Sequence, residues 1–250
     1  MNVFRALVRR ELSAFFQGPT GFIIIAAVMF LIGLGFLVVL SGLNGEATPM
    51  PVTQVFYGTY FFWVILLLIA PVITMRSFAM ERASGTYESL MTAPVGDWEV
   101  VLSKFTGALV FYVILWVPLL VCSLVVRLYV GESAVLGPGP MFTSALGILL
   151  IGSLYMSMGC FASALTRNQA VAAVSSFAMG AALFFTGFFS YFTGDRSDLI
   201  SQIARHVSLA NHMESFSRGV IDLEATVFFI SLTALFLYFT HKVVESRRWK

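Results

Sequence analysis

Six long apolar runs, one amphipathic start and one polar interruption make up the pattern of this chain. The runs fall near 20–41, 55–75, 105–126, 141–165, 169–192 and 225–241. Each reaches, or nearly reaches, the roughly 20 residues a helix needs to cross a bilayer. Lipid offers backbone amides no partner, so such spans are helical. Pro71 and Pro118 fall inside spans, where proline kinks a helix or is accommodated. Residues 1–17 read differently. Val3, Phe4, Leu7, Val8, Leu12, Phe15 and Phe16 recur at helical spacing, with Asn2, Arg5, Arg9 and Ser13 on the other face. That predicts an amphipathic helix lying in the interface, its basic side chains toward headgroups. Gly18 and Pro19 break it before the first span.

The polar interruption is 76–104, which carries Arg76, Glu81, Arg82, Glu88, Asp97, Glu99 and Lys104. Within it Met80, Ala83, Tyr87, Leu90 and Met91 share one helical face, while Glu81, Arg82, Ser84 and Glu88 lie on others. The spacing predicts a short amphipathic helix over 79–92, with an apolar stripe and a charged back. Gly85 inside it costs about 1 kcal/mol against Ala. Pro94 and Gly96 end it, and Asp97 is the expected N-cap of the third span, with Glu99 in its first turn. Periodicity alone fits an ordinary solvated loop with a surface helix equally well. Later, the tight turn at 166–169 makes spans four and five a hairpin. Segment 194–224 is long and half-apolar. Ile200, Ile203, Ala204, Val207 and Leu209 are spaced like a short helix on the membrane surface, and a second is expected near 216–219.

Composition confirms the solvent. The chain of 250 residues is 58% hydrophobic and 11% charged, against about 25% charged in soluble domains. The expected fold class is an all-α polytopic membrane protein, one domain over 1–250. Eleven of the fifteen Lys and Arg fall on one side if the N-terminus is cytoplasmic, and four (Arg127, Arg196, Arg205 and Arg218) fall on the other. Both termini are therefore expected inside. No cleavable signal peptide is expected at the start. A net charge of +2 points away from nucleic acid. Cys122 and Cys160 read as small hydrophobes. His206 and His212 lack the partners of a good metal set, so no metal site is expected.

Two absences bear on function. No Asp, Glu, Lys, Arg or His lies between the ends of a proposed span, which disfavours an ion-coupled carrier. No G-x-x-x-x-G-K-[ST] occurs, so the chain is not expected to bind ATP or to act as an enzyme, and no catalytic residues are expected. Energy for uphill transport has to come from a partner.

The run T-M-R-S-F-A-x-E-R-x-S-G-T-x-E-x-L-x-T-x-P-V-x-D-W-E-V-V-x-x-K-F over 74–105 resembles the signature loop of type-2 ABC exporter permeases. The resemblance is closest to the permease of the gliding-motility ABC transporter (GldF-like) and the related NosY-like permeases. S-R-G-V-I-D at 217–222 and V-E-S-R-R-W at 244–249 resemble the same subfamily. The likeness implies a six-span subunit that pairs with a second permease chain, in a homodimer or a heterodimer. Two separate P-loop ATPase subunits bring ATP and Mg. It implies that 1–17 is a connecting helix, that 79–92 is a coupling helix resting on the ATPase, and that 194–224 is a re-entrant outer segment. Glu81, Arg82, Gly85, Thr86, Glu88, Leu90 and Pro94 fall on the coupling motif. Ser217, Arg218 and Gly219 fall on the outer one. The location implied is the bacterial inner membrane, with a periplasmic partner a further expectation and no substrate specified.

The leading function is thus the permease of an ATP-driven exporter or of envelope machinery. The second reading is a non-transporting anchor of an ABC-type complex. The third, an ATP-independent carrier or channel, is disfavoured by the charge-free spans.

Overall fold

The computed structural model describes residues 2–42, 52–87, 95–130, 138–193 and 206–248. Every regular element among them is a helix. In chain order these are α1 Asn2–Phe16, α2 Pro19–Gly42, α3 Val52–Gly58, α4 Tyr60–Thr74, α5 Ala79–Ser84, α6 Asp97–Val130, α7 Pro138–Leu165, α8 Gln169–Thr193, α9 Leu209–Ser217 and α10 Leu223–Arg248. Six stretches are long and apolar enough to cross a membrane: Pro19–Val39, Tyr60–Ser84, Asp97–Val125, Gly139–Leu165, Gln169–Gly187 and Leu223–Ser246.

Burial sorts them. In the second and fourth stretches 67% and 72% of the most apolar window is buried, against 22–28% in the first, fifth and sixth. So α4 and α7 form the centre, and α2, α8 and α10 present apolar sides outward, as a bilayer rather than water demands. Phe30 (66% exposed), Val174 (68%) and Val227 (64%) show that outer surface. The centre is aromatic. Phe62 of α4 meets Trp116 of α6 at 5.2 Å, and Trp63 meets Phe184 of α8 at 4.9 Å. α7 packs against α4, α6, α8, α9 and α10.

Two boundaries differ from the sequence reading. The second run is split. α3 stops at Gly58, and extended Thr59 (φ −80°, ψ 150°) precedes α4. The helix of the third span starts one residue before the expected position, at Asp97 rather than after an Asp97 cap, because Glu99 Oε2 accepts from the Gly96 N–H at 3.2 Å while the Gly96 carbonyl accepts from Val100. Gly96 is therefore the N-cap and Asp97 the first helical residue. With 34 residues, α6 is about 51 Å long and overruns a hydrocarbon core of roughly 30 Å. Its polar first turns, Lys104 included, belong to the same helix as the apolar span. The second and third membrane-length stretches, Tyr60–Ser84 and Asp97–Val125, extend past the proposed spans and take in Arg76, Glu81, Arg82, Asp97, Glu99 and Lys104, while the spans proposed from sequence hold no charge between their ends.

Candidate functional site

The end of the bundle that carries α1 gathers most of the polar interruption. On α6, Lys104, Gly107 and Phe111 form one stripe at helical spacing. Against that stripe lie Glu11 and Phe15 of α1. Phe15 stacks on Phe111 with centroids 4.3 Å apart and planes 8° from parallel. A Cβ placed at Gly107 would sit 2.8 Å from Glu11 Cβ, so only glycine lets α1 approach this closely. The approach puts Glu11 Oε1 3.1 Å from Lys104 Nζ.

α5 closes the cluster. Glu81 Oε1 lies 2.8 Å from Lys104 Nζ and 2.8 Å from Arg10 Nη2, and Arg10 also reaches Glu11 at 2.9 Å. Two cations and two carboxylates from three elements share one knot. Lys104 is its buried member, with a side chain 1% exposed and its ammonium over the Phe78 ring. Such burial requires compensating charge. Burial pulls the Arg10 guanidinium down, but Glu11 and Glu81 outweigh it and hold it above its ordinary value.

The other fastening of α5 is to the end of α7. Ser163 Oγ accepts from the amides of Phe78 and Ala79, both at 3.0 Å, and donates to the Met75 carbonyl at 3.2 Å. Phe78, the N-cap residue of α5, makes no side-chain cap. A serine from another helix thus satisfies the orphan amides at the start of α5. Arg82 Nη1 donates to the Ala164 carbonyl, placing a cation at the negative end of α7. The Arg82 guanidinium also lies 5.0 Å above the Tyr87 ring.

This arrangement sets the facing of the short helix. Its charged side, Glu81 and Arg82, turns into the bundle, because Lys104, Arg10 and the Ala164 carbonyl wait there. Met80 (49% exposed) and Ala83 turn out. The helix is also shorter. α5 ends at Ser84, and Gly85 (φ 75°) is its left-handed C-cap. Thr86 follows, with its Oγ1 2.9 Å from Ser84 Oγ. Gly85 and Thr86 are exposed. Glu88, Leu90 and Pro94 lie outside the described residues.

At the far end of α7, the second group of expected site residues forms a helix stop. Ser208 caps α9 by accepting from the Asn211 amide. At the other end Gly219 (φ 93°) donates to the Phe216 carbonyl and Val220 to the Ser215 carbonyl, which is a Schellman motif. Ser217 is buried and Arg218 pairs with Glu214 at 2.5 Å. Thr143 Oγ1 of α7 donates to the Phe216 carbonyl at 2.6 Å, anchoring α9 on the bundle. The first of the two expected outer helices falls mostly in 194–205, outside the described residues, and the second is α9 itself, which begins earlier, at Leu209. His206 and His212 meet only through a ring-to-carbonyl contact at 2.9 Å.

Glu11, Arg10 and Ser163 were not among the residues singled out from sequence. Glu11 had a signal, being the lone acid before Glu46 in a basic stretch. Ser163 had none, since a serine in an apolar run carries no mark of a tertiary role.

The last helix also reaches this end of the bundle. Trp98, in the first turn of α6, stacks on His241 of α10 at 4.3 Å and 12°, and Val244 is buried beside Phe78. A knot of charge at one end, a short capped helix at the other and six apolar helices between them are the features that known proteins can now be set against. Comparison with curated proteins finds no match. The sequence model described as ABC-2 family transporter protein matches residues 46–240. That match covers most of the chain, including α3 to α9 and the greater part of α10, and the chain belongs to the ABC-2 family of transporter membrane proteins.

Proposed function

We propose that this permease is driven through α5 and the residues that follow it, by a separate P-loop ATPase that supplies ATP and Mg. The observation that carries the reading is the double anchoring of α5. Glu81 ties it to α1 and α6, and Ser163 and Arg82 tie it to α7, while Ala83, Gly85 and Thr86 stay exposed. An element held firmly from within and bare on its outer side suits a part that receives a push. Glu81 and Arg82 are then internal fasteners. Gly85 and Thr86, with Glu88, Leu90 and Pro94, supply the docking side.

In this reading the α1 end of the bundle and both termini face the cytoplasm of a bacterial inner membrane. Two ATPase copies serve two permease chains. Their closure moves the bundle between inward- and outward-facing states by rigid-body motion. The capped turn at Ser217, Arg218 and Gly219 lies at the outer gate. The cargo is an exported substrate or a component of envelope machinery, as the likeness to gliding-motility permeases suggests.

The test is affinity purification of the tagged chain from native membranes in mild detergent, with the co-purifying proteins identified by mass spectrometry. Recovery of a P-loop ATPase is expected. Gly85→Trp and Glu88→Ala should each lose that ATPase and its stimulated turnover while the chain stays in the membrane. If both variants retain normal assembly and turnover, the docking assignment is wrong.

A further inference from the structure

A cavity of about 590 Å³ opens between α1, α2, α4 and α5 at the charged end of the bundle. That is the size of a small-molecule site. Its walls are of two kinds. Phe15, Ile23, Ile24, Val72 and Ile73 line the part that runs alongside the first turns of α2 and the last turns of α4. Arg10, Glu11, Arg76, Glu81 and Lys104 line the part beyond them. Apolar wall below and charge above, at the level where spans emerge, match a lipid rather than a fully soluble ligand. Ile23 is 64% exposed and Met80 49% exposed at the rim, so the opening lies on the apolar exterior of the bundle.

The charges are not balanced. Arg10 and Lys104 are neutralised by Glu11 and Glu81 in the knot already described. Arg76 is the fifth group. It is exposed, donates to Thr20 Oγ1 at 3.2 Å, and makes no ion pair among the described residues. One positive charge is left over, at a guanidinium whose geometry suits a phosphate. On the opposite count, Glu81 Oε2 is buried and has no hydrogen-bond partner among the described residues. A buried carboxylate oxygen of this kind calls for a donor.

We infer that this cavity binds an anionic phospholipid of the adjoining leaflet, phosphatidylglycerol. Its phosphate pairs with Arg76, its glycerol head donates to the Glu81 carboxylate, which keeps 19% exposure at the cavity wall, and its acyl chain lies against Ile23, Ile24 and Val72. The head chemistry decides among phospholipids. A choline head has no donor for Glu81. An ethanolamine head has a donor but brings a further cation beside Arg10 and Lys104, leaving the site's surplus charge in place. A glycerol head supplies hydroxyl donors, and the single net charge of its phosphate cancels Arg76. The inference stands on the cavity and its charges and does not require that α5 dock an ATPase.

The probe is native mass spectrometry of the delipidated full chain in detergent, titrated with phosphatidylglycerol, phosphatidylethanolamine and phosphatidylcholine of matched chains. The expected result is a saturating phosphatidylglycerol adduct that outcompetes both others. Arg76→Gln removes an exposed side chain and leaves the packing alone. It should weaken phosphatidylglycerol binding roughly fivefold or more, the effect of one cation at an anionic head, and erase the preference. Ile24→Trp, which fills the apolar part, should cut the adduct of every lipid. Equal binding of phosphatidylcholine by the wild-type chain would overturn the inference. So would a phosphatidylglycerol preference that survives Arg76→Gln, or a preference for phosphatidylethanolamine.

Discussion

Lys104 Nζ lies 3.1 Å from Glu11 Oε1, joining residues 93 positions apart. The contact fixes an interfacial helix to a spanning one, and Glu81 shares it. Removing one member of a buried ion pair leaves charge uncompensated, which typically costs about 3–5 kcal/mol. Arg10 still reaches both carboxylates, so we predict the lower end of that range, about 3 kcal/mol, for Lys104→Met. Thermal unfolding in detergent measures it. Combining Lys104→Met with Glu11→Leu should recover part of the loss, because a matched apolar pair replaces a buried ionic one at little cost. A double variant less stable than Lys104→Met alone would show that the knot is not what Lys104 contributes.

Gly107 sets the height at which α1 rides on α6. We predict that Gly107→Leu lifts α1 and costs about 1–3 kcal/mol, as overpacking does. The readout is a disulfide between cysteines placed at Phe15 and Phe111. It should form readily in the parent and poorly in the Gly107→Leu variant.

Ser163→Ala deletes one oxygen and orphans two amides. Both belong to the start of α5, and each buried unsatisfied donor costs about 1–3 kcal/mol. The expected outcome is faster amide exchange over 78–84 with the spans unaffected. Ser163→Thr keeps the oxygen and should restore protection. Unchanged exchange in Ser163→Ala would mean that α5 is held by Arg82 and Glu81 alone.

Gly85 adopts φ 75° with open space around a would-be Cβ. No neighbouring group therefore obstructs a side chain there, and the left-handed backbone alone disfavours one. We predict that Gly85→Asn is tolerated, since asparagine visits the left-handed region, whereas Gly85→Val costs about 1–2 kcal/mol locally. If α5 receives the ATPase, stimulated ATP turnover falls in Gly85→Val and survives in Gly85→Asn. Equal turnover in both separates the glycine's role from coupling.

Hydrophobic runs carry the membrane fold openly, because lipid imposes one length and one backbone solution on every span. The polar interruption was legible as a special segment for the same reason, since charge between spans is rare. Its facing was not. Met80 and Ala83 form an apolar stripe that ordinarily turns inward, yet Arg10, Lys104 and the Ala164 carbonyl present partners that only Glu81 and Arg82 can satisfy. Those partners come from residues far along the chain, and one sequence does not pair them. The start of α6 was legible to within one residue, from Asp97 and Glu99 ahead of the apolar run. Glu99 caps Gly96 from three residues away, so the helix begins in polar sequence where hydropathy sees no span.

Arg82 and Ser163 give α5 a consequence beyond attachment. Both contacts fall on the last turn of α7, at Ser163 and Ala164, the helix whose apolar window is the most buried of the six. A load on α5 therefore enters the innermost helix at its tip and along its length. α5 behaves less like a lever swinging on a loop than like a plunger head. It cannot travel without carrying α7, or else breaking the Arg82 contact and all three Ser163 hydrogen bonds at once. At the other tip of α7, Thr143 grips the capped end of α9. A displacement at the charged end would thus be carried along one stiff rod to α9 at the other end of the bundle.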